Sequence, residues 1–510
     1  MKWIPFIAAV GGVSTPVKWT VFIAAVALAY PTGLWLRGRP LFRMYVWTLV
    51  GFLPFYSRLD IALLSFAGRP GDTWGLEVAM LDWLAVALLL AERARSRPVP
   101  YRFALGLYLV VALVSMTQAD WPLGAFGYVW KLGRMYLIYF VICRAGTDRR
   151  VPLALLRGLM LGVLYEGVLA LWQHYGLGMP RATGTFEHQN TLGILVNLVV
   201  MAPIALVIAG RADKLTTLTA IAAVPISLFT ISRGTMLFFA GGIVLLYIVS
   251  AFRRWDLRKA KIGLTGLALA LVVIPVAEST LRSRSQAEQL ESMRTRAQFE
   301  NAASLMLDEH PLGVGANHFT LMLLTRGYGA RAEVHWSQQA AIVHNVYLLT
   351  AAEMGYLGVI ALIILFLTPL QSAIRYSFRA GRDRRGDLLL GLGVGLATFY
   401  AHSFFEWTWR LTEVSYVYWI VVAMVASLAR DLREGVPGRV AIPTRQRAPR
   451  PLEASAVRSA GESSGTPPSA NGGRGIHRSH QSLLRLPSRW FIPVGPVGDL
   501  PTREATSFGL

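Results

Sequence analysis

His344 is the residue in this sequence best suited to moving a proton. It stands where polar sequence re-enters an apolar run, in Val343-His344-Asn345-Val346-Tyr347-Leu348. A free imidazole titrates at about 6.5, so at neutral pH it can draw a proton from a weak acid. The competing reading is an interfacial histidine that caps or packs. Two arginines could hold an anion. Arg233, in Ile231-Ser232-Arg233-Gly234, separates two apolar runs with almost no polar spacer. An arginine that close to hydrocarbon needs an anionic partner, either a lipid headgroup or a diphosphate. A guanidinium suits phosphate because its fork donates two hydrogen bonds and never deprotonates. Arg296 precedes Phe299, Ala302, Ala303, Leu305 and Met306. That spacing predicts an amphipathic helix with the arginine near its start, ending at His310-Pro311.

Four further residues are supporting candidates. Arg294 lies on the same turn as Arg296, although solvation is the usual fate of such a residue. Asn345 follows His344 directly. Glu353 lies in an apolar run, where an ionisable group is costly and has a partner, and Gly355 and Gly358 permit close helix contact. Asn190 or Thr191 can cap the helix after Gly184-Thr185-Phe186-Glu187-His188-Gln189, and polar groups there can line a groove. The sequence holds no Walker-type phosphate loop, no Asp-x-Asp pair and no His-Glu-x-x-His helix. His310, His318, His335 and His344 match no standard zinc spacing. No metal and no cofactor is expected.

Most of these residues fall in one long polar insertion, Glu278 to Gly358, between apolar runs. The chain has 510 residues, 54% hydrophobic and only 15% charged. A soluble domain carries about 25% charged residues. The deficit and the repeated runs predict an all-α, polytopic transmembrane protein, since lipid leaves no water for unpaired backbone groups. The runs are continuous and do not alternate, which excludes a β-barrel. The net charge is +21, but no nucleic-acid module accompanies it, so nucleic acid is not expected as a partner. The single cysteine, Cys143, permits no intramolecular disulfide.

The charge instead sets topology. Every second connection is Arg-rich: around 37–43, 93–102, 144–150, 211–214, 253–261 and 375–385. By the positive-inside rule these face the cytoplasm. Arg233, the 278–343 loop and the 402–410 connection then share the other side. About 12–14 spans are expected, one or two of them before residue 43. The divisions are an N-terminal membrane segment or hairpin (1–36), a helical bundle (37–277) and a large periplasmic loop with short helices (278–343). C-terminal spans (344–430) and a disordered basic cytoplasmic tail (431–510) follow. The tail's Pro, Ser, Gly and Arg cannot build a core. Its charge suits anionic lipid, and an inert tail is the other reading.

Four blocks in order carry a resemblance. They are Gly184-Thr185-Phe186-Glu187-His188-Gln189-Asn190, then Ser232-Arg233-Gly234, then Arg296 through Asp308-Glu309-His310-Pro311-Leu312-Gly313-Val314-Gly315. The last is His344-Asn345-Val346-Tyr347-Leu348 with Glu353-Met354-Gly355-Tyr356-Leu357-Gly358. With them the chain resembles the O-antigen ligase and polymerase superfamily of bacterial envelope glycosyltransferases, over roughly residues 40–430. The resemblance implies a metal-independent, inverting transferase in the bacterial inner membrane. Its donor would be an undecaprenyl-diphosphate-linked glycan, and its acceptor a lipid A-core or a growing glycan at the periplasmic face. It makes His344 the general base and gives Arg233 and Arg296 the diphosphate. A repeat-unit polymerase shares these blocks. A lipid-linked glycan transporter is the alternative from another class, and would carry ionisable residues through the middle of several spans.

Overall fold

Apolar runs about 20 residues long satisfy their own backbone groups only as helices, and the described chain is mostly helical. The structure is a computed structural model that describes residues 15–56, 60–66, 71–73, 75–92, 98–282 and 286–435. In order come α1 (Thr15–Arg37), α2 (Pro40–Tyr56), β1 (Asp60–Ser65), β2 (Gly75–Ala79), α3 (Met80–Ala91), α4 (Arg102–Ser115), α5 (Pro122–Ala145) and α6 (Arg150–Leu171). Then follow α7 (Gln189–Ile208), α8 (Lys214–Phe229), α9 (Arg233–Arg253), α10 (Leu257–Arg282) and α11 (Gln286–Glu309). The last are α12 (Phe319–Thr325), α13 (Tyr328–Arg331), α14 (Val346–Arg379), α15 (Arg384–His402) and α16 (Thr412–Arg433).

The apolar runs expected from Arg43 onward lie mostly on helices. Among the described residues six helices are long and apolar enough to cross a membrane: α1, α6 with its trailing turn, α7, α9, α14 and α16. Helices α3, α4 and α8 are apolar but shorter. This is a multi-pass membrane protein. The N-terminal segment, expected as one span or two, is one helix, α1, over its described residues; residues 1–14 lie outside them. The basic tail lies outside the described residues from 436 on.

Helices α7 and α16 are buried nearly all round and form the centre. Gly391 and Gly395 let the α15 backbone close onto α7; a Cβ on Gly395 would stand 2.4 Å from the Leu198 carbonyl oxygen. Two Arg-rich connections meet on one carboxylate, Asp387, just after a third: it takes Arg211 at 2.8 Å, Arg254 at 3.6 Å and Arg253. Those connections were expected on one side of the membrane, and they sit together here.

Two expectations need correction. The apolar stretch Leu76 to Ala91, which its hydropathy reads as one span of the helical bundle, begins as a strand: β2 pairs antiparallel with β1, Asp60 opposite Ala79 and Ser65 opposite Gly75. Hydropathy alone does not separate a short strand from the start of a helix. The Arg296 helix starts at Gln286, so Arg296 lies mid-helix, although the helix does end before His310-Pro311. Ionisable groups also lie buried within the helical bundle. Arg134 on α5 is buried against Asp82 on α3 at 2.6 Å, and buried Arg410 pairs with Glu353 and with Asp72 at 3.1 Å. Each of these buried charges has an opposite partner, as burial requires.

Candidate active site

A cavity of about 710 Å³ opens among the connections on the side opposite the Asp387 cluster. Four sequence candidates line it: Asn190, Arg233, Arg296 and His344. They arrive from four different parts of the chain, and local rules place each one.

Arg233 is the first residue of α9. Ser232 caps that helix, its Oγ accepting from the Thr235 amide at 3.3 Å. Ile231 just before it has φ of 46°, a left-handed conformation that costs a β-branched residue about 1–3 kcal/mol. This turn aims Arg233 outward. The side chain is exposed, and it has no ion pair or hydrogen bond among the described residues.

His344 is held from the other direction. Asn345 caps α14, its Oδ1 accepting from the Tyr347 and Leu348 amides at 3.0 and 3.1 Å. The Val346 amide donates to the Ser403 carbonyl at 2.9 Å, which ties the start of α14 to the end of α15. His344 therefore faces the 402–410 connection.

The residue waiting there is Glu406. It is 3% exposed, and it gathers three of the candidates. His344 Nδ1 donates to Oε2 at 3.2 Å, and Arg296 Nη2 donates to Oε1 at 3.0 Å. Asn190 Nδ2 also donates to Oε1. Burial works to raise the Glu406 carboxyl. The hydrogen bond from His344, with the Arg296 guanidinium, outweighs it and holds the carboxyl below the ordinary range. Glu406 is thus an anion at neutral pH. A carboxylate only accepts, so Nδ1 of His344 carries the hydrogen, and Nε2 presents a lone pair.

Sequence reading missed Glu406. The available signal was a lone carboxylate in Phe404-Phe405-Glu406-Trp407, between two spans on the side already assigned to the candidates. Asn190 was expected as a helix cap, but His188 takes that place: its Nδ1 accepts from the Asn190 amide at 3.2 Å. The Asn190 side chain is committed to Glu406 instead.

The remaining candidates lie elsewhere. Arg294 is exposed on α11 and does not line the cavity. Asn345 is a cap. Glu353 is 2% exposed, bound to Arg410 and accepting from the Phe319 amide at 3.1 Å. It anchors the far end of the connection that carries Glu406. Gly355 has φ of 66° and ψ of −169°, and breaks α14. The Pro311–Gly315 turn docks into that break. The Val314 and Gly315 amides donate to the Ala352 and Glu353 carbonyls at 2.9 Å, and the Tyr356 amide donates to the Pro311 carbonyl at 3.2 Å. The third and fourth sequence blocks are one backbone-bonded unit.

The O-antigen ligase family model matches residues 215–363. That stretch is similar to the O-antigen ligase family, which supports the O-antigen ligase and polymerase superfamily expected from the sequence blocks. No curated protein matches it. The matched stretch holds Arg233, Arg296, His344 and the Gly355 break, whereas Asn190 and Glu406 lie outside it. The matched domain suggests a glycosyltransferase-type membrane enzyme, and its family implies lipid-linked glycan and polysaccharide substrates.

Proposed function

We propose that the enzyme transfers a glycan from an undecaprenyl-diphosphate carrier to an acceptor hydroxyl, at the periplasmic face of the bacterial inner membrane. The acceptor is a lipid A-core or a growing polysaccharide. One observation carries the reading: His344, Arg296 and Asn190 converge on Glu406 in a cavity that also holds the unpaired Arg233.

The roles follow from the chemistry. A sugar hydroxyl is a poor nucleophile until its proton leaves. His344 Nε2 takes that proton while Glu406 holds Nδ1–H and stabilises the imidazolium that forms. The acceptor oxygen attacks the anomeric carbon on the face opposite the diphosphate. The bond from that carbon to the diphosphate oxygen breaks, and its electron pair leaves with the diphosphate. The configuration inverts. Diphosphate is a good leaving group, so it needs charge stabilisation rather than a proton. Arg233 and the N–H groups of Arg296 not committed to Glu406 supply it. No metal enters these steps.

The surface-glycan profile of a deletion strain tests the reading. Loss of all attached polymer, with carrier-linked polymer accumulating, identifies a ligase. Single repeat units on the acceptor identify a polymerase. An unchanged profile removes both. Purified enzyme should keep transferring in EDTA; loss restored by a divalent cation refutes the metal-free step.

A further inference from the structure

The cavity holds a second buried imidazole that the steps above do not use. His402 ends α15 and lines the cavity, yet is only 2% exposed. Its Nδ1 is buried with no hydrogen-bond partner. Among the described residues no protein group bonds either ring nitrogen. Buried polar atoms are almost always satisfied, so an orphaned imidazole facing a cavity calls for a partner from outside the chain.

Its neighbour is the N-terminus of α9. A Cβ on Gly234 would stand 2.8 Å from His402 Nε2, so the glycine is what lets the ring lie this close to the helix start. Phe238, one turn further along α9, packs its ring 4.8 Å from the imidazole. Ser232 satisfies the Thr235 amide, but the Arg233 and Gly234 amides have no acceptor among the described residues. A helix start with free amides attracts an anion. Arg233 adds a full positive charge at the same point.

The hydrogen on His402 belongs on Nε2. Placed on Nδ1 it would be a buried donor without an acceptor, the rarer kind of orphan. Placed on Nε2 it points at the α9 start.

We propose that His402 is a further substrate-contacting residue: its Nε2–H donates to a phosphate oxygen seated on the N-terminus of α9, beside the Arg233 guanidinium. The inference rests on the diphosphate donor of the proposed function. It gives the glycine of Ser232-Arg233-Gly234 a reason, which is clearance for an imidazole rather than backbone freedom.

The test uses the full-length protein in detergent, with undecaprenyl diphosphate as the probe and undecaprenol as the phosphate-free control. His402→Phe keeps a ring against Phe238 and lacks the N–H. It should bind undecaprenyl diphosphate about tenfold more weakly, the scale of one hydrogen bond to a charged group. His402→Gln returns an N–H and should recover most of that loss. Neither change should alter undecaprenol binding. Gly234→Ala should weaken diphosphate binding in the same direction, by pushing the ring away, and serves if His402→Phe fails to fold. Wild-type affinity in His402→Phe, or in Gly234→Ala where His402→Phe does not fold, overturns the proposal. So does an equal loss for undecaprenol. If the wild-type protein itself does not bind undecaprenyl diphosphate, the donor reading falls and His402's role with it. If the wild type binds and only the His402 effect is missing, the donor reading stands alone.

Discussion

His344 Nδ1 lies 3.2 Å from Glu406 Oε2, and the other oxygen of that carboxylate receives Arg296 at 3.0 Å. One buried anion therefore fixes the tautomer of the base and the position of a phosphate-binding arginine together. Second partners of this kind decide whether a catalytic nitrogen points at its substrate.

Glu406→Gln should lower transfer about a hundredfold, the scale of a misplaced catalytic group. Glu406→Asp keeps a carboxylate to accept the Nδ1–H, so it should retain more transfer than Glu406→Gln in equally folded protein. Wild-type transfer by folded Glu406→Gln would mean that Glu406 only packs.

The base and the arginines should fail differently. His344→Ala should cost about 10²–10⁴ in rate with undecaprenyl diphosphate binding nearly intact. Arg233→Ala should weaken binding and turnover together, since the charge acts before and during bond cleavage. Arg233→Lys should rescue only in part, because an ammonium cannot form the paired fork. Arg326 is the control. It makes an exposed ion pair with Asp120 at 2.8 Å, of a kind worth about 0–1 kcal/mol, so Arg326→Ala should be near neutral. Wild-type transfer by folded His344→Ala removes the base from the mechanism.

The helices were legible because apolar runs and alternating Arg clusters are local and repeated. The four blocks were legible for a similar reason: each is a short string at a span end. Glu406 was not, because its meaning depends on Asn190, Arg296 and His344 arriving from distant elements. Neither local periodicity nor hydropathy encodes such a meeting. Glu353 looked like a site residue from its apolar setting. The setting was read correctly, but the partner it requires is Arg410, on the next polar connection. Strand β2 was hidden inside an apolar run that continues into α3.

In the loop, Glu309 bridges α11 to α13. Arg331 Nη2 donates to its Oε1 at 2.5 Å, and the Tyr328 hydroxyl donates to its Oε2 at 2.6 Å. The Arg331 hydrogen bond, then that of Tyr328, pulls the carboxyl down to about 2. A depressed carboxyl contributes stability that is fully present above its unfolded value of about 4.3. That contribution is lost as pH falls through about 2. The pair is exposed, so salt should weaken it. Glu309→Gln should speed amide exchange across Tyr328–Arg331 at neutral pH. The difference from wild type should shrink as pH falls below about 4.3 and vanish below about 2. A difference that persists at the acid end would show that the contact does not depend on charge.

The sharpest structural prediction concerns Gly355. With φ of 66° and ψ of −169° it occupies a region that side-chain-bearing residues avoid, at about 1–3 kcal/mol. A Cβ there would also stand 2.3 Å from the Pro311 carbonyl oxygen and 2.7 Å from the Leu312 Cα. Both are backbone atoms, so no rotamer change relieves the clash. Gly355→Ala must push the Pro311–Gly315 turn out of the break in α14 and loosen the three backbone hydrogen bonds that hold it. That turn follows directly from α11, the helix that carries Arg296, so Arg296 should drift from Glu406. The expected result is a lower unfolding temperature together with weaker donor binding and slower transfer. Gly106→Ala on α4 is the matched control. Its Cβ would meet nothing within 4 Å, and alanine favours a helix by about 1 kcal/mol, so stability should hold or rise. Thermal unfolding and transfer measured on both variants decide the matter. A Gly355→Ala protein with wild-type stability and wild-type turnover would mean that the docked turn does not position Arg296.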